Sequence, residues 1–259
     1  MIDYGAETLT YGPILVRLSS KRYAERLAAN PELGAQFVRE QALAGLAEAQ
    51  LGWGHMLLDG YGVARDPEAA FRWFHHAARQ GNADAWNMLG RCHERGWGVR
   101  PSAELAAHWY GLAAARSHCW AQFNLAALML ATDGARVDLK RVMSLLVASA
   151  RAGNPKAMNM LGHARELGWT RAPKPRAARF WFRLAAQGGC FRGQFHHARF
   201  LLRDGKVAEA LRWLRSSLTQ SPPDFAREGA EMLARHHEPR VRGLASEFLG
   251  SQSVAAAQC

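Results

Sequence analysis

The chain has 259 residues, of which 49% are hydrophobic, so it can bury a sizeable core. No apolar run approaches the roughly 18 residues that a membrane-spanning helix needs, and residues 1–12 lack the basic and apolar regions of a secretory signal. The net charge of +11 and the pI near 10.2 favour an acidic partner, nucleic acid or an anionic membrane surface. The alternative is a soluble protein in which arginine has simply replaced lysine.

Taken in order, the chain repeats one unit of a helix, a glycine loop and a second helix with a period of 36 residues. Copies begin at Ala49, Ala85, Ala121 and Ala157, and a degenerate copy begins at Gly193. A fixed period of this length indicates a solenoid, in which each helix pair covers the apolar stripe of its neighbours.

Small and large residues recur at fixed slots of the repeat. The first helix carries a small slot, and the second helix carries a large slot that holds tryptophan in three copies and leucine in one. We expect the indole of Trp109 to be wedged between helix pairs, beside Gly90 and Ala126. The small slot holds Gly54, Gly90, Ala126, Gly162 and Ala198, and the large slot holds Trp73, Trp109, Leu145 and Trp181.

The turns carry their own signals. Glycines such as Gly96 and Gly98 predict a positive φ that ends the first helix in a left-handed cap. Asp66, Ser102 or Asp138 precedes the second helix as an N-cap acceptor.

These slots resemble the Sel1-like repeat, a relative of the tetratricopeptide repeat. The pattern of an early Ala, Leu-Gly, Gly-x-Gly-Val and Ala-x-x-Trp-(Tyr/Phe)-x-x-Ala-Ala matches 49–121 almost slot for slot and 157–189 well. The copy from Ala121 lacks the tryptophan and one loop glycine. The resemblance covers roughly residues 21–235. It implies an all-α fold, a right-handed superhelical solenoid of antiparallel helix pairs that binds partners on its concave face, and it carries over no activity.

The repeat phase also predicts the boundaries of the chain's parts. We expect an N-terminal extension (1–18), an N-terminal capping helix pair (19–48), four 36-residue repeats (49–192), a degenerate C-terminal repeat with capping helices (193–250) and a flexible tail (251–259). The predicted helices run near 31–43, 47–59, 67–80, 83–95, 102–116, 119–131, 138–152, 155–167, 174–187, 191–203, 206–219, 225–235 and 240–249.

The first helix of each pair lines the groove in tetratricopeptide-like stacks, and residues at i and i+4 share a face. Asparagines on that face could bond the main chain of an extended peptide, while Phe123 and Phe195 could offer side-chain pockets. The alternative places both phenylalanines in the inter-helix core and leaves the polar slots merely solvated. The predicted partner-binding groove consists of Leu51, His55, Asn87, Arg91, Glu94, Phe123, Asn159, His163, Glu166, Phe195 and Arg199.

The segment from Arg165 to Arg215 is strongly basic, with only Glu166, Asp204 and Glu209 as acidic residues. It predicts either a solvated convex face or a surface that binds nucleic acid, with binding that falls steeply with salt. Its basic residues are Arg165, Arg171, Lys174, Arg176, Arg179, Arg183, Arg192, Arg199, Arg203, Lys206, Arg212 and Arg215.

The sequence offers little catalytic chemistry. Adjacent histidine pairs, such as His75-His76, point about 100° apart on a helix and cannot ligate one metal together. The four cysteines fall at unrelated repeat phases, which favours reduced thiols in a reducing compartment. The glycine loops follow helices rather than strands, so a nucleotide cradle is not expected. We therefore expect no metal, no cofactor and no enzymatic activity.

These observations lead to one functional hypothesis and two alternatives. The hypothesis is a cytoplasmic, monomeric, non-catalytic adaptor or scaffold that binds a protein or peptide partner, which could be acidic, along the concave groove. One alternative is a nucleic-acid-binding repeat protein that uses the Arg165–Arg215 surface. The other is an accessory protein dedicated to one enzyme, such as an iron-uptake enzyme.

Overall fold

The computed structural model describes residues 29–132 and 134–256, which form thirteen α-helices, one short 3₁₀ turn and no strand. The predicted N-terminal extension, the first capping helix and Cys259 lie outside the described residues. The helices are α1 (Pro31–Leu43), α2 (Ala47–Asp59), α3 (Pro67–Arg79), α4 (Ala83–Arg95), α5 (Ala103–Ala115), α6 (Cys119–Thr132), α7 (Leu139–Arg151), α8 (Pro155–Leu167), α9 (Pro175–Gln187), α10 (Phe191–Arg203), α11 (Val207–Gln220), α12 (Pro223–Ala234) and α13 (Pro239–Ala256).

The predicted helix bounds are confirmed to within two residues at every end but one. The exception is α13, which continues to Ala256 instead of ending near 249, because the segment from Ser251 to Ala256 contains no helix breaker. The first part of the predicted tail is therefore helical. The chain divides into two compact units after Asp138, within the copy that begins at Ala121, and each unit is described by itself.

Side-chain caps start several helices as the sequence predicted. The backbone N–H of Ala69 donates to Asp66 at 2.9 Å, and that of Leu105 donates to Ser102 at 3.2 Å. These bonds satisfy N–H groups that have no partner inside the helix. They fix the residues at which these two second helices, α3 and α5, begin.

The loop glycines adopt the predicted left-handed conformation. Gly96 ends α4 with a φ of 73°, and Gly98 follows it with a φ of 65°. A Cβ on Gly98 would also collide with the backbone of Pro67, at the start of the second helix one repeat earlier. Gly98 is therefore required for both its conformation and the close approach of neighbouring repeats.

An aromatic ring on each of three second helices packs against the small slot of the first helix. An added Cβ at Gly90 would lie 2.5 Å from the ring of Tyr110. An added Cβ would lie at the same distance from the ring in the pairs Gly54–Phe74 and Gly162–Phe182. All three rings are fully buried. Glycine in this slot thus lets a large ring fill the space within the helix pair.

The prediction that the indole of Trp109 lies beside Gly90 is wrong. The ring of Tyr110, the next residue, lies there instead, because one step along a helix turns a side chain by about 100°. Trp109 is half-buried and packs against the rim of the core, with its ring centroid 5.4 Å from that of His75. The same shift applies throughout: the fully buried slot holds Phe74, Tyr110, Leu146 and Phe182, and the half-buried slot holds Trp73, Trp109, Leu145 and Trp181.

The corrected slot predicts which aromatic residue stabilises the repeat. Tyr110→Ala should lower the free energy of unfolding by about 3–5 kcal/mol, because it empties a fully buried site. Trp109→Ala should lower it clearly less, because that indole is partly solvated already. Thermal melts followed by circular dichroism compare the two variants. An equal or larger loss for Trp109→Ala would contradict the assignment.

Two glycine substitutions should have opposite effects. Gly98→Ala should destabilise the chain by more than about 1 kcal/mol, because alanine disfavours the positive φ and its Cβ meets the backbone of Pro67. Gly111→Ala should stabilise the chain by up to about 1 kcal/mol, because Gly111 lies inside α5 with open space around its Cα. Denaturant unfolding measures both values. A stabilising Gly98→Ala would refute the account of this loop.

Candidate functional site

In residues 29–138, the most exposed polar side chains of the predicted groove belong to α4. The half-buried Arg91 guanidinium lies over the ring of Trp97, 5.0 Å from its centroid. Glu94, one turn further on, accepts a 2.6 Å hydrogen bond from the hydroxyl of Tyr110. Glu94 therefore anchors the buried ring of its own repeat, whereas Arg91 and Trp97 form a cation–π pair within reach of solvent.

The other groove candidates of this unit are largely internal. Asn87 is 8% exposed, and its Oδ1 accepts a hydrogen bond of 3.0 Å from the amide of Asn124 on the next first helix. His55 is buried with its ring edge-on to Phe74, 5.2 Å between centroids. Leu51 is half-buried against the same core. These three side chains support the stack of repeats.

In residues 139–250, four polar side chains of α8 and α10 form a connected cluster, the α8–α10 polar cluster: His163, Glu166, His196 and Arg199. Arg199 donates to Glu166 at 3.1 Å and to Nδ1 of His196 at 2.8 Å. Arginine has only donors, so Nδ1 of His196 is the unprotonated ring nitrogen. The rings of His163 and His196 lie 4.3 Å apart. Glu166 and Arg199 keep 19% and 32% of their side-chain surface exposed.

Repeat superposition explains one unsatisfied group beside this cluster. Asn159 and His196 are separated by the same 37 positions as the bonded pair Asn87 and Asn124. Because His196 turns to Arg199 instead, the buried Oδ1 of Asn159 has no hydrogen-bond partner. A buried acceptor without a partner is unfavourable by about 1–3 kcal/mol.

The two phenylalanines of the predicted groove are core residues. Phe123 is 2% exposed and Phe195 is 3% exposed, and Phe195 packs in the cluster around Leu214 and Val241. This burial favours the alternative in which both rings belong to the inter-helix core. A side-chain pocket for a peptide at these positions would require the core to open.

Burial sets the chemistry of the titratable side chains. It lowers the pKa of His55 to about 4 and that of His196 to about 3, the latter with a further contribution from His163. It raises the pKa of the Cys92 thiol to about 12. These groups are therefore neutral at neutral pH, and Cys92 has the character of a structural thiol rather than of a nucleophile.

The net positive charge of the chain comes from its C-terminal half. Residues 139–259 hold 20 of the 33 Lys and Arg but only 8 of the 22 Asp and Glu, a net charge of +12, whereas residues 1–138 carry a net charge of −1. Within the Arg165–Arg215 segment, two of the three acids are paired, Glu166 with Arg199 and Asp204 with Arg179. The exposed members of the segment are Arg171, Lys174, Arg176, Arg183, Arg203, Lys206, Arg212 and Arg215.

Most of this exposed charge lies away from the predicted groove. Arg176 and Arg183 lie on α9, and Arg212 and Arg215 lie on α11, which are second helices. On α9 the half-exposed ring of Phe180 lies under the Arg183 guanidinium, 5.8 Å from its carbon. The basic surface and the first-helix face are thus separate features of this unit.

The described residues contain no group of three or more His, Cys, Asp and Glu side chains that could hold a metal ion. Within the same part of the chain, no helix is both long and apolar enough to cross a membrane.

Sequence reasoning missed three side chains that matter here. Trp97 lies between Gly96 and Gly98, and the loop pattern gives no sign that its half-buried indole pairs with Arg91. Tyr110 is the second, because the repeat pattern predicted the adjacent Trp109 as the buried ring. His196 belongs to another adjacent histidine pair, His196-His197, and its repeat position, which matches that of Asn124, is the signal that identifies it.

Three segments of the chain, 47–82, 83–118 and 155–190, match the Sel1 repeat family model. No match was found among curated proteins.

Solved structures with the same architecture include the protective antigen c5321 of uropathogenic Escherichia coli, which displays an SLR fold (26% identity, TM-score 0.65, covering 87% of this chain and 49% of that one). A Sel1 repeat protein from Oxalobacter formigenes is similar to the same degree (26% identity, TM-score 0.66, covering 77% and 59%). This chain thus spans about half to three fifths of the length of these two relatives. An immunity protein of Pseudomonas aeruginosa, Pa5087, shares the fold at 18% identity (TM-score 0.52, covering 78% and 75%).

The buried His196 should make stability depend on pH. Its pKa in the folded protein, about 3, lies below the ordinary value of 6.5, so the unfolded chain binds more protons between these values and stability falls as the pH is lowered through this window. His196→Asn, the residue found at the equivalent Asn124, should reduce this loss by about 1.4 kcal/mol per pH unit well below pH 6.5. Denaturant unfolding at several pH values measures the slope. The exposed His108→Asn serves as the control, and an equal slope in the parent and His196→Asn would contradict the prediction.

Proposed function

The chain contains Sel1 repeats, and we propose that it is a non-catalytic adaptor that holds a protein or peptide partner on the face of its first helices. Sel1 repeats generally mediate protein interactions. The proposal therefore concerns which face this chain uses and which residues carry the contact.

The observation that carries the proposal is the Arg91–Trp97 pair of residues 29–138. Both side chains are half-buried, and the guanidinium is held over the indole. Tryptophan and arginine are the residue types most enriched among the energetic centres of protein interfaces. A planar pair that is already ordered would lose little conformational entropy when a partner covers it.

The fold itself does not require charge at this slot. The position of Arg91 is occupied by Ala127 in the next copy, and the position of Glu166 is occupied by Leu58 and Leu130 in other copies. Leucine and alanine in the same slots show that the solenoid tolerates apolar residues there. The charged side chains that some copies keep are thus available for partner recognition.

The α8–α10 polar cluster offers a second polar area on first helices, in residues 139–250. Its Glu166–Arg199 ion pair is partly exposed and links adjacent first helices. Because both side chains keep part of their surface exposed, charged groups of a partner can reach them. The net charge of +12 in this half favours an acidic partner.

The same charge supports nucleic acid as a second candidate ligand. The observation in its favour is the exposed Phe180 beneath Arg183, since an exposed aromatic ring can stack on a base. Fluorescence anisotropy with a labelled oligonucleotide tests it. Absence of binding at low salt would remove this candidate, because phosphate contacts are strongest there.

Comparative co-purification tests the adaptor function. Tagged parent, Arg91→Ala and Arg79→Ala chains are used to capture partners at moderate salt, and the captured proteins are quantified by mass spectrometry. We expect one stoichiometric partner with the parent and with Arg79→Ala, whose side chain is exposed on α3, and at least about a tenfold loss with Arg91→Ala.

Thermal melts provide the control for folding. Arg91→Ala should melt nearly as the parent does, because it removes a partly solvated cation–π contact of about 0.5–1 kcal/mol. Equal capture by all three chains, or no stoichiometric partner under several growth conditions, would contradict the proposal.

A further inference from the structure

A cleft of about 490 Å³ lies between α11 and α13, on the second-helix side of residues 207–247. Leu211 and Leu244 line it, and both belong to the apolar cluster of this end of the chain. The remaining lining residues are charged: Arg212, Arg215, Arg240 and Glu247. We refer to these six residues as the α11–α13 cleft.

The charges of this cleft are not balanced. Arg215 pairs with Glu247 across the cleft at 2.7 Å, and Arg240 pairs with Glu238, just before the start of α13, at 2.8 Å. Arg212 is exposed and makes no ion pair within the described part of the chain. The lining therefore holds three guanidinium groups and one carboxylate around an apolar surface. With Glu238 counted as well, the three arginines face two carboxylates, and Arg212 carries the unpaired charge.

The Glu247 carboxylate shows how an acidic ligand would be bound. It reaches from α13 to the guanidinium of Arg215, so the gap between the helices accommodates a carboxylate. Arg215 and Glu247 remain 61% and 60% exposed. An exposed pair of this kind contributes about 0–1 kcal/mol, which allows a carboxylate of a ligand to replace Glu247.

The fold does not need these arginines. On α11 the core positions are Ala210, Leu214 and Leu218, all 0–2% exposed. Arg212 and Arg215 lie on other faces of the helix and are exposed. Two arginines that the core does not use thus border a cleft with an apolar floor.

We propose that the α11–α13 cleft binds an acidic segment of a partner protein. An apolar side chain of that segment packs on Leu211 and Leu244, and flanking carboxylates pair with Arg212 and Arg240, whose planar guanidinium groups match carboxylate geometry. None of the six lining residues is aromatic, so the cleft lacks the stacking surface that single-stranded nucleic acid uses. This surface is distinct from the first-helix face of the proposed function.

Fluorescence anisotropy with the full chain tests this inference. The probe is a labelled short peptide in which a leucine is flanked by glutamates, compared with one peptide that has glutamine for glutamate and one that has serine for leucine. We expect the Leu/Glu peptide to bind and both comparison peptides to bind more weakly, because each lacks one of the two recognised features. Equal binding of all three peptides would overturn the inference.

A matched pair of double variants separates the cleft from general charge. Arg212→Glu with Arg240→Glu should weaken binding of the Leu/Glu peptide by at least about tenfold. Arg171→Glu with Arg176→Glu changes the net charge equally at exposed positions outside the cleft and should weaken it only slightly. An equal loss in both double variants would show general electrostatic attraction and overturn the inference.

A third variant predicts a gain of binding. Glu247→Gln frees Arg215, so it should strengthen peptide binding by a few fold, a result that misfolding would not give. Unchanged or weaker binding would count against the proposed role of Glu247 and overturn the inference. An oligothymidylate that binds while the Leu/Glu peptide does not, and that is released by Arg212→Glu with Arg240→Glu, would identify the cleft as a nucleic-acid site instead. None of these results depends on Arg91, so the adaptor proposal is judged separately.

Discussion

The fit of an aromatic ring onto a glycine of the neighbouring helix is the constraint on which each regular repeat depends. A Cβ at Gly54, Gly90 or Gly162 would lie 2.5 Å from a ring carbon of the second helix. The ring in turn is fully buried and occupies the space within the helix pair. The closest approach of the two helices and the burial of the largest side chain are thus set by one pair of residues per repeat.

The chain also shows a second solution for the same pair of slots. In the degenerate copy the small slot holds Ala198 and the ring slot holds Leu214, both fully buried in one cluster. A smaller side chain on the second helix leaves room for the methyl group on the first. A glycine on the first helix packs against an aromatic ring on the second, and an alanine packs against a leucine. Close packing at a constant helix separation requires this pairing of small with large and of larger with smaller side chains.

Because this pair holds each repeat together, the remaining slots are free to vary. Arg91 lies in a slot that accepts alanine elsewhere, and the exposed arginines of α9 and α11 lie outside the buried stripe. The residues that we propose to contact partners are therefore ones that the fold does not fix. This separation explains why the repeat identifies the architecture but not the partner.

The period of 36 residues was sufficient to predict the helix bounds of the copies that begin at Ala49, Ala85, Ala121 and Ala157 and the caps at Asp66 and Ser102, because these copies place their turns at the same phase. It could not predict which of two adjacent aromatic residues is fully buried, because Trp109 and Tyr110 both fit the apolar stripe of the second helix. The hydrogen bond from Tyr110 to Glu94 could not be predicted either, because it requires Tyr110 to be the buried ring. The burial of Phe195 and the α11–α13 cleft depend on how the C-terminal helices pack, where the repeat pattern is already lost.

A double-mutant cycle on Gly162 and Phe182 tests the central constraint most directly. Gly162→Ala, Phe182→Leu and the double variant are compared by denaturant unfolding. The account predicts that the double variant is more stable than the sum of the two single changes by about 0.5–3 kcal/mol, because leucine leaves room for the added methyl group. Strictly additive losses would show that the ring and the glycine do not depend on each other, and would contradict the account.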